Sequence, residues 1–440
     1  MRHEDKWGHA VGGEGVADRT AGPAPRLRSI VTIIGLFTLS RTLSADGGPP
    51  ALQADLRTNR VTVSWVSPAD AYLLETTDRL EPNTRWWPAR LAASRLGDTH
   101  SVTLTAAVGN RFYRLAANER LAWVQTAQGP LSASGRGVVL PHEHLFTDLR
   151  GPTTPGYGEA DADDVVRVMK PLLAEAVSQG VGLLVECSSI GVGRNGSLLR
   201  RLAEESGLPV VVPTGVYGRA NYAPAEHRNM SEDDLTALFI KEIREGIEDT
   251  GVKAGFIKIA TSDTGMTRLE ETILRAAGRA AVATDAAVAS HTVTGSTAKK
   301  QADILEMISP AVRFIWVHAQ AERTRKWHRD LAARGVFIEF DSLGWNPGED
   351  AAFITAIKDL VMAGHADRIL LSHDAGWYQP GQRNGGTQKP YTYLTKTFIP
   401  KLRNAGLDQA VIQMITEENP IRAFAFLTRR ADAPLEVKPQ

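Results

Sequence analysis

A single cysteine in 440 residues, Cys187, excludes an intramolecular disulfide and any cysteine-rich zinc module. It closes an apolar run, where a small buried residue is expected and not a nucleophile. An excess of one charge sign is missing too. Lys+Arg and Asp+Glu both number 50, so nothing steers the chain toward nucleic acid or an anionic membrane. Long hydrophobic runs are also absent. The stretch from Ser29 to Ser40 falls short of the roughly 20 apolar residues that a membrane-spanning helix needs.

That short stretch has a reading of its own. Arg26 and Arg28 precede it and Leu43-Ser44-Ala45 follow. A basic flank, an apolar centre and small residues in that order make a secretory signal peptide. Residues 1–45 are expected to be a signal peptide with an unusually long leader, and the protein to be secreted or periplasmic.

The rest, at 43% hydrophobic overall, has material for a large core and two domains. Between 46 and 118 the runs are short, alternating and β-prone, as in Val61-Thr62-Val63-Ser64-Trp65 and Ser101-Val102-Thr103-Leu104-Thr105, with Asp, Asn, Pro and Gly between them. That texture predicts a small antiparallel β-sandwich. The ending Asn110-Arg111-Phe112-Tyr113-Arg114-Leu115 and the stretch before Trp86-Trp87 are similar to a β module attached to secreted bacterial proteins, which implies an accessory role. Trp86 and Trp87 are expected in core or edge packing ahead of a sugar-binding platform.

From about 121 the rhythm becomes strand then helix. Apolar runs stand at 137–141, 181–187, 209–214, 254–259, 287–290, 314–317, 336–340 and 369–372, with helix-type stretches between most of them. This predicts an α/β fold, a (β/α)8 TIM barrel over 121–430 preceded by the small all-β module. Trp123 to Thr126 and Gly135-Arg136-Gly137 predict a hairpin capping the barrel floor.

Active sites of such barrels lie at the C-terminal ends of the strands. The first run leads into His142-Glu143-His144, and residues two apart on a strand share a face, so both imidazoles point one way. Alone, they are as readily unrelated histidines. The pattern recurs, however: Lys258 sits inside Phe256-Ile257-Lys258-Ile259, and later runs end in His291, His318 and Asp374. Neutral imidazoles with a carboxylate suit zinc or a similar divalent ion. Burial favours the neutral amine of Lys258, and a neutral amine adds carbon dioxide to give a carbamate with two oxygens. The competing reading is a lysine paired with an acid across the barrel. His373, next to Asp374 on a strand, is expected to face away and serve structure.

The order His-x-His, Lys, His, His, Asp on strands 1, 4, 5, 6 and 8 resembles the phosphotriesterase-related branch of the amidohydrolase superfamily, over roughly 121–428. Thr214-Gly215-Val216-Tyr217, Gly191-Val192-Gly193-Arg194 and Glu418-Asn419-Pro420 also match it. The resemblance implies two divalent metal ions. His142, His144 and Asp374 would bind the more buried ion, His291 and His318 the more exposed one, and N6-carboxylated Lys258 would bridge them with a hydroxide. That hydroxide would attack an ester, lactone or phosphotriester, with Asp374 taking its proton and Tyr217 orienting the substrate. Departures leave the substrate open: Glu186 stands where many relatives have aspartate, Ala319-Gln320-Ala321-Glu322 replaces a Gly/Asp-bearing loop, and Ser342 lies where acyl-homoserine lactone hydrolases carry arginine.

The loop Gly376 to Gly381, running on through Gly385-Gly386 to Tyr391, is long and aromatic and is expected to shape the pocket. No basic cluster is evident at the strand ends, which favours small neutral substrates. No nucleic-acid partner or membrane span is expected, and a homodimer is compatible with this reading. The rival function is a non-catalytic secreted binding protein on the same scaffold, against which the complete set of six ligand-type residues argues. If the leader reading holds, N-terminal sequencing of exported protein finds a start near Asp46; an exported form retaining residues 1–45 contradicts it.

Overall fold

The computed structural model describes residues 52–57, 60–66, 72–77, 86–88, 94–96, 99–105, 112–117, 120–133, 135–219 and 221–429. The expected signal peptide lies outside the described residues. Among those described, no helix is long and apolar enough to cross a membrane.

The β-prone runs form two antiparallel sheets. One joins Gln53–Arg57, Arg60–Val66, Thr99–Thr105 and Ser94–Leu96, and the other joins Trp87–Pro88, Tyr72–Thr77 and Phe112–Ala117. Alternation turns Val63 and Trp65 of the first sheet onto Leu74 of the second, with Leu52, Tyr113 and Leu115 packed against them. The two sheets therefore share one small apolar core. The Arg114 guanidinium lies 4.5 Å over the Trp86 ring and pairs with Glu75 at 2.7 Å. Trp86 thus makes a cation–π contact, which fits packing better than a free sugar platform. The side chain of Trp87 lies outside the described residues.

Downstream, eight parallel strands close on themselves. They are Val138–Phe146, Val181–Glu186, Val210–Val211 continuing as Pro213–Thr214, Phe256–Ala260, Val288–His291, Phe314–Val317, Phe337–Phe340 and Ile369–Leu371. The third strand changes partner midway, its first part pairing with the second strand and its last part with the fourth. Backbone bonds from Asp374 N–H to the His142 carbonyl (3.1 Å) and from His144 N–H to the Ala375 carbonyl (2.9 Å) close eighth strand on first. Gly376–Tyr378 then pairs with residues 144–146.

Period-two alternation sorts the strand side chains into two cores. Val139, Leu183, Phe256, Ile315 and Leu370 fill the barrel interior, while Leu140, Leu184, Ile257, Trp316 and Leu371 meet the surrounding helices. Each fully buried Leu, Ile or Phe contributes about 1.5–3 kcal/mol. The expected floor hairpin is present: Arg120–Thr126 pairs with Gly129–Ser132 and with Phe426–Arg429 of the chain's end. Val124 and Leu131 join the interior cluster and Trp123 stacks on Phe426 at 4.7 Å, so the floor is sealed by apolar contact.

One element departs from expectation. The first strand does not stop at the imidazoles but runs through both of them to Phe146. Pro141 offers no N–H to the ladder, and the register against the second strand shifts between Leu140 and Glu143. Beyond that irregularity, Gly376–Tyr378 supplies the pairing that lets the strand continue.

Every barrel strand lies beyond residue 137, and the floor is completed by residues from 120 onward. A chain beginning at Ala117 is therefore expected to fold and keep full hydrolytic turnover. Circular dichroism with a rate assay tests this, and a folded but inactive truncation would mean that residues 46–116 help to build the site.

Candidate metal centre

The side chains singled out at five strand ends converge at the C-terminal mouth. His144 Nε2 lies 3.0 Å and His142 Nε2 3.7 Å from Asp374 Oδ1. Ring centroids stand 5.1 Å apart for His142 and His318, and 4.4 Å for His291 and His318. Ligand atoms of His142, His318 and Asp374 all lie within 4.8 Å of one another. His142 and His144 share a face as expected.

What aims these rings is a layer of buried acceptors behind them. His142 Nδ1 meets Glu339 Oε1 at 2.8 Å, His318 Nδ1 meets Asp341 Oδ1 at 2.7 Å, and His144 Nδ1 meets Ser188 Oγ at 2.8 Å. A carboxylate can only accept, so the Nδ1 of His142 and of His318 carries a proton and Nε2 is the atom left for the mouth. Burial lowers the His142 and His144 rings, but their acidic neighbours outweigh it and raise both above the usual imidazole range. Asp341 also accepts from the His318 backbone N–H and from Gln320 Nε2. Burial raises its pKa, but the His318 and His142 rings outweigh that and hold the carboxyl well below its usual range. Burial pushes Glu339 up to about 7 against the pull of His142. His291 is held well below the usual imidazole range by burial, then by His318, Lys258 and Arg219, so its ring is neutral.

This donor set fits divalent cations. Asp374 Oδ1 is buried, and its near neighbour is the His144 Nε2 atom at 3.0 Å, a ring nitrogen and a carboxylate oxygen side by side as two ligands of one ion would be. Inward-facing nitrogens backed by outward hydrogen bonds are how histidine ligands are oriented. Strain collects here as well. His318, Asp374 and Trp377 hold φ of 62°, 51° and 72°, the left-handed region that non-glycine residues avoid.

Lys258 projects from the fourth strand and is only 2% exposed. Among the described residues no carboxylate comes within ion-pairing distance of it, which removes the cross-barrel salt bridge as its explanation. The third strand reaches it closely: a Cβ at Gly215 (φ +107°) would meet the Lys258 carbonyl oxygen at 2.1 Å, so only glycine serves there. Tyr217, two residues on, packs against the His291 ring at 5.6 Å, and burial pushes its hydroxyl up to about 12.

The other residues that the sequence singles out hold the structure together. His373 faces away as expected, its Nδ1 2.6 Å from Glu143 Oε1 while its Nε2 accepts the Leu394 N–H at 2.8 Å. Glu186 accepts the backbone N–H groups of Leu145 and Ser188 and ties the first strand to the second. Arg194 forms a paired contact with Glu242 at 2.6 and 2.7 Å, and Asn419 holds the carbonyls of Ala366 and Ile369. Cys187 is buried in the barrel interior.

Several site residues escaped the sequence reading. Glu339 lies inside Phe337-Ile338-Glu339-Phe340, the same signature of one charge in an apolar strand that exposed Lys258. Asp341 was legible only as part of a loop. Two single cations not seen in the sequence stand at the mouth: Arg219 lies against His291, Nη1 to Nε2 at 3.2 Å, and Lys389 stands over Trp345 beside Asp374. Both come from loops, where no periodicity marks which way a side chain will turn.

A strand-end metal centre in a (β/α)8 barrel defines a class of hydrolases, and comparison with known proteins narrows it. The sequence model of the phosphotriesterase family matches residues 122–424. A phosphotriesterase homology protein of Mycobacterium tuberculosis is 30% identical over 320 residues, 68% of this chain and 97% of that one. Aryldialkylphosphatase of Saccharolobus solfataricus is 29% identical over 66% of this chain and 95% of its own. The solved organophosphorus hydrolase from Deinococcus radiodurans superposes with a TM-score of 0.63 at 28% identity, covering 69% of this chain and 96% of that one. The chain belongs to the phosphotriesterase family. It is a metal-dependent hydrolase, and the matched region begins within the floor hairpin, ahead of the first barrel strand.

Asp341 backs two of the inward-facing histidines at once. Asp341→Asn is expected to weaken metal binding by about 10- to 100-fold, measured by competition with a chelator. Unchanged affinity would mean that the rings are oriented by packing alone.

Proposed function

We propose that the chain is a binuclear metallohydrolase whose water attacks an ester, lactone or phosphotriester. One observation carries the reading: the Nε2 atoms of His142 and His144 converge on Asp374 Oδ1 while their Nδ1 atoms are engaged behind them. His142, His144 and Asp374 would hold the more buried ion, with His291 and His318 at the more exposed one. Lys258, as an N6-carboxylate, would reach both. Two divalent ions, zinc or similar, would supply Lewis-acid polarisation of the substrate oxygen and a water acidic enough to ionise at neutral pH.

The chain's own residues do the rest. Asp374, buried and unprotonated beside the imidazoles, accepts the water's proton and passes it toward the rim. Tyr217 keeps its proton at neutral pH and donates a hydrogen bond to the substrate oxygen. Trp377, whose ring lies 4.4 Å from that of His144, and Trp345 narrow the mouth and exclude water. The strand-8 loop shapes the acyl or leaving-group pocket, and Ser342 disfavours long-chain acyl-homoserine lactones. The relatives named aryldialkylphosphatase and organophosphorus hydrolase support phosphotriesters among the candidates. Family membership and the full ligand set weigh against a non-catalytic binding protein. Export, with residues 46–118 as an accessory module, completes the reading.

Lys258→Ala tests it. Metal analysis of the folded variant is expected to find fewer than two ions per chain, with most activity toward a panel of aryl esters, lactones and phosphotriesters lost. Short-chain carboxylic acids, which offer two oxygens, are expected to restore part of both. Two tightly bound ions in Lys258→Ala protein would defeat the bridging role.

A further inference from the structure

Two cations at the mouth take no part in the hydrolysis described above. Lys389 belongs to the segment that returns after the strand-8 loop, and its backbone N–H and carbonyl both bond to Gly376 at 3.1 Å. That anchor lies two residues past Asp374. The half-buried side chain sets its Nζ 2.9 Å from the centroid of the Trp345 ring, and Trp345 Nε1 donates to the carbonyls of His373 and Asp374. Among the described residues no carboxylate lies within ion-pairing distance of Lys389, and Asp374 acts on it only from further off. The ammonium has therefore lost part of its water in exchange for a ring face and the longer-range pull of Asp374.

Across the mouth, Arg219 follows the third strand. Its Nη1 lies 3.2 Å from His291 Nε2 and its Nη2 3.0 Å from Asp263 Oδ2. The Asp263 side chain is 53% exposed, so the guanidinium has a solvated counter-ion that it can exchange. A mouth built for neutral molecules gains nothing from a desolvated, unpaired ammonium. An anionic substrate group supplies the missing partner through a charge-assisted hydrogen bond.

We propose that the substrate carries a carboxylate or similar compact oxyanion apart from the bond that is broken, and that Lys389 binds it, with Arg219 as the second cation of the mouth. This rests on the hydrolase reading of the same centre. In the reaction, water oxygen adds to the acyl carbon, the ester C–O bond breaks and the water's proton ends on the leaving oxygen. The oxyanion is untouched and serves only to anchor. Lys389 is thus a specificity-determining residue, felt in KM more than in kcat.

The test uses a matched pair of esters, mono-nitrophenyl glutarate with a free carboxylate and nitrophenyl pentanoate without one. The metal-loaded full chain is expected to favour the glutarate by at least about tenfold in kcat/KM, the worth of one charged hydrogen bond. Lys389→Met, which keeps the contact with Trp345 but not the charge, is expected to erase about 10- to 100-fold of that preference through KM. Lys389→Arg is expected to restore most of it. Equal use of the two esters by the unaltered protein, or a preference that survives Lys389→Met, overturns the proposal and leaves the hydrolase reading standing. If neither ester is cleaved, the carboxylic-ester part of the proposed function is what fails. Calorimetric titration of glutarate then still tests the anchor, since binding that does not weaken in Lys389→Met overturns it.

Discussion

The site depends on hydrogen bonds that turn imidazole rings inward. His142, His144 and His318 each spend Nδ1 on a buried acceptor, and two of those acceptors are carboxyl groups of the seventh strand and its end. Burying Glu339 and Asp341 in an apolar barrel would be costly if they stood alone. Linked to two imidazoles, a backbone N–H and Gln320, they become the fixed back wall of the centre. The floor hairpin and interior core sit beneath that wall, so a rigid apolar plug supports a polar layer, and the polar layer aims the ligands.

The backbone is deformed where the chemistry needs it and regular elsewhere. His318 and Asp374 are turned inward by left-handed φ, and Gly215 lets the third strand lie against Lys258 without a Cβ between them. Gly376 plays the same part on the other side, where a Cβ would meet the His144 carbonyl and the Tyr391 hydroxyl at 2.0 Å. Close packing of strand-8 loop on first strand is what brings Trp377 over His144 and Lys389 toward Asp374. The aromatic rim and the metal centre are therefore set by one contact.

Much of this was legible from residue order. Eight apolar runs at barrel spacing, five of them containing or leading into a ligand-type residue, point to the fold and to His142, His144, Lys258, His291, His318 and Asp374 together. The facing of His373 follows from its adjacency to Asp374, and the structure bears it out through Glu143. What escaped has physical reasons. The backing acids act through other residues, so they leave no spacing of their own, although Glu339 carried the same mark as Lys258. Arg219 and Lys389 lie on loops, where the backbone path and not a two- or 3.6-residue period decides where a side chain points. The extension of the first strand past Pro141 depended on pairing with Gly376–Tyr378, more than two hundred residues away.

Anomalous diffraction from crystals of the metal-loaded protein decides whether the mouth holds a bridged pair of ions. Two peaks are expected, one among His142, His144 and Asp374 and one between His291 and His318, with continuous density for a carboxyl group on Lys258 Nζ reaching both. A single peak beside a bare Lys258 amine, or one seated between His142, Glu339 and Asp341, a second cluster among the described residues whose ligand-type atoms lie within 4.8 Å of one another, would contradict that pair.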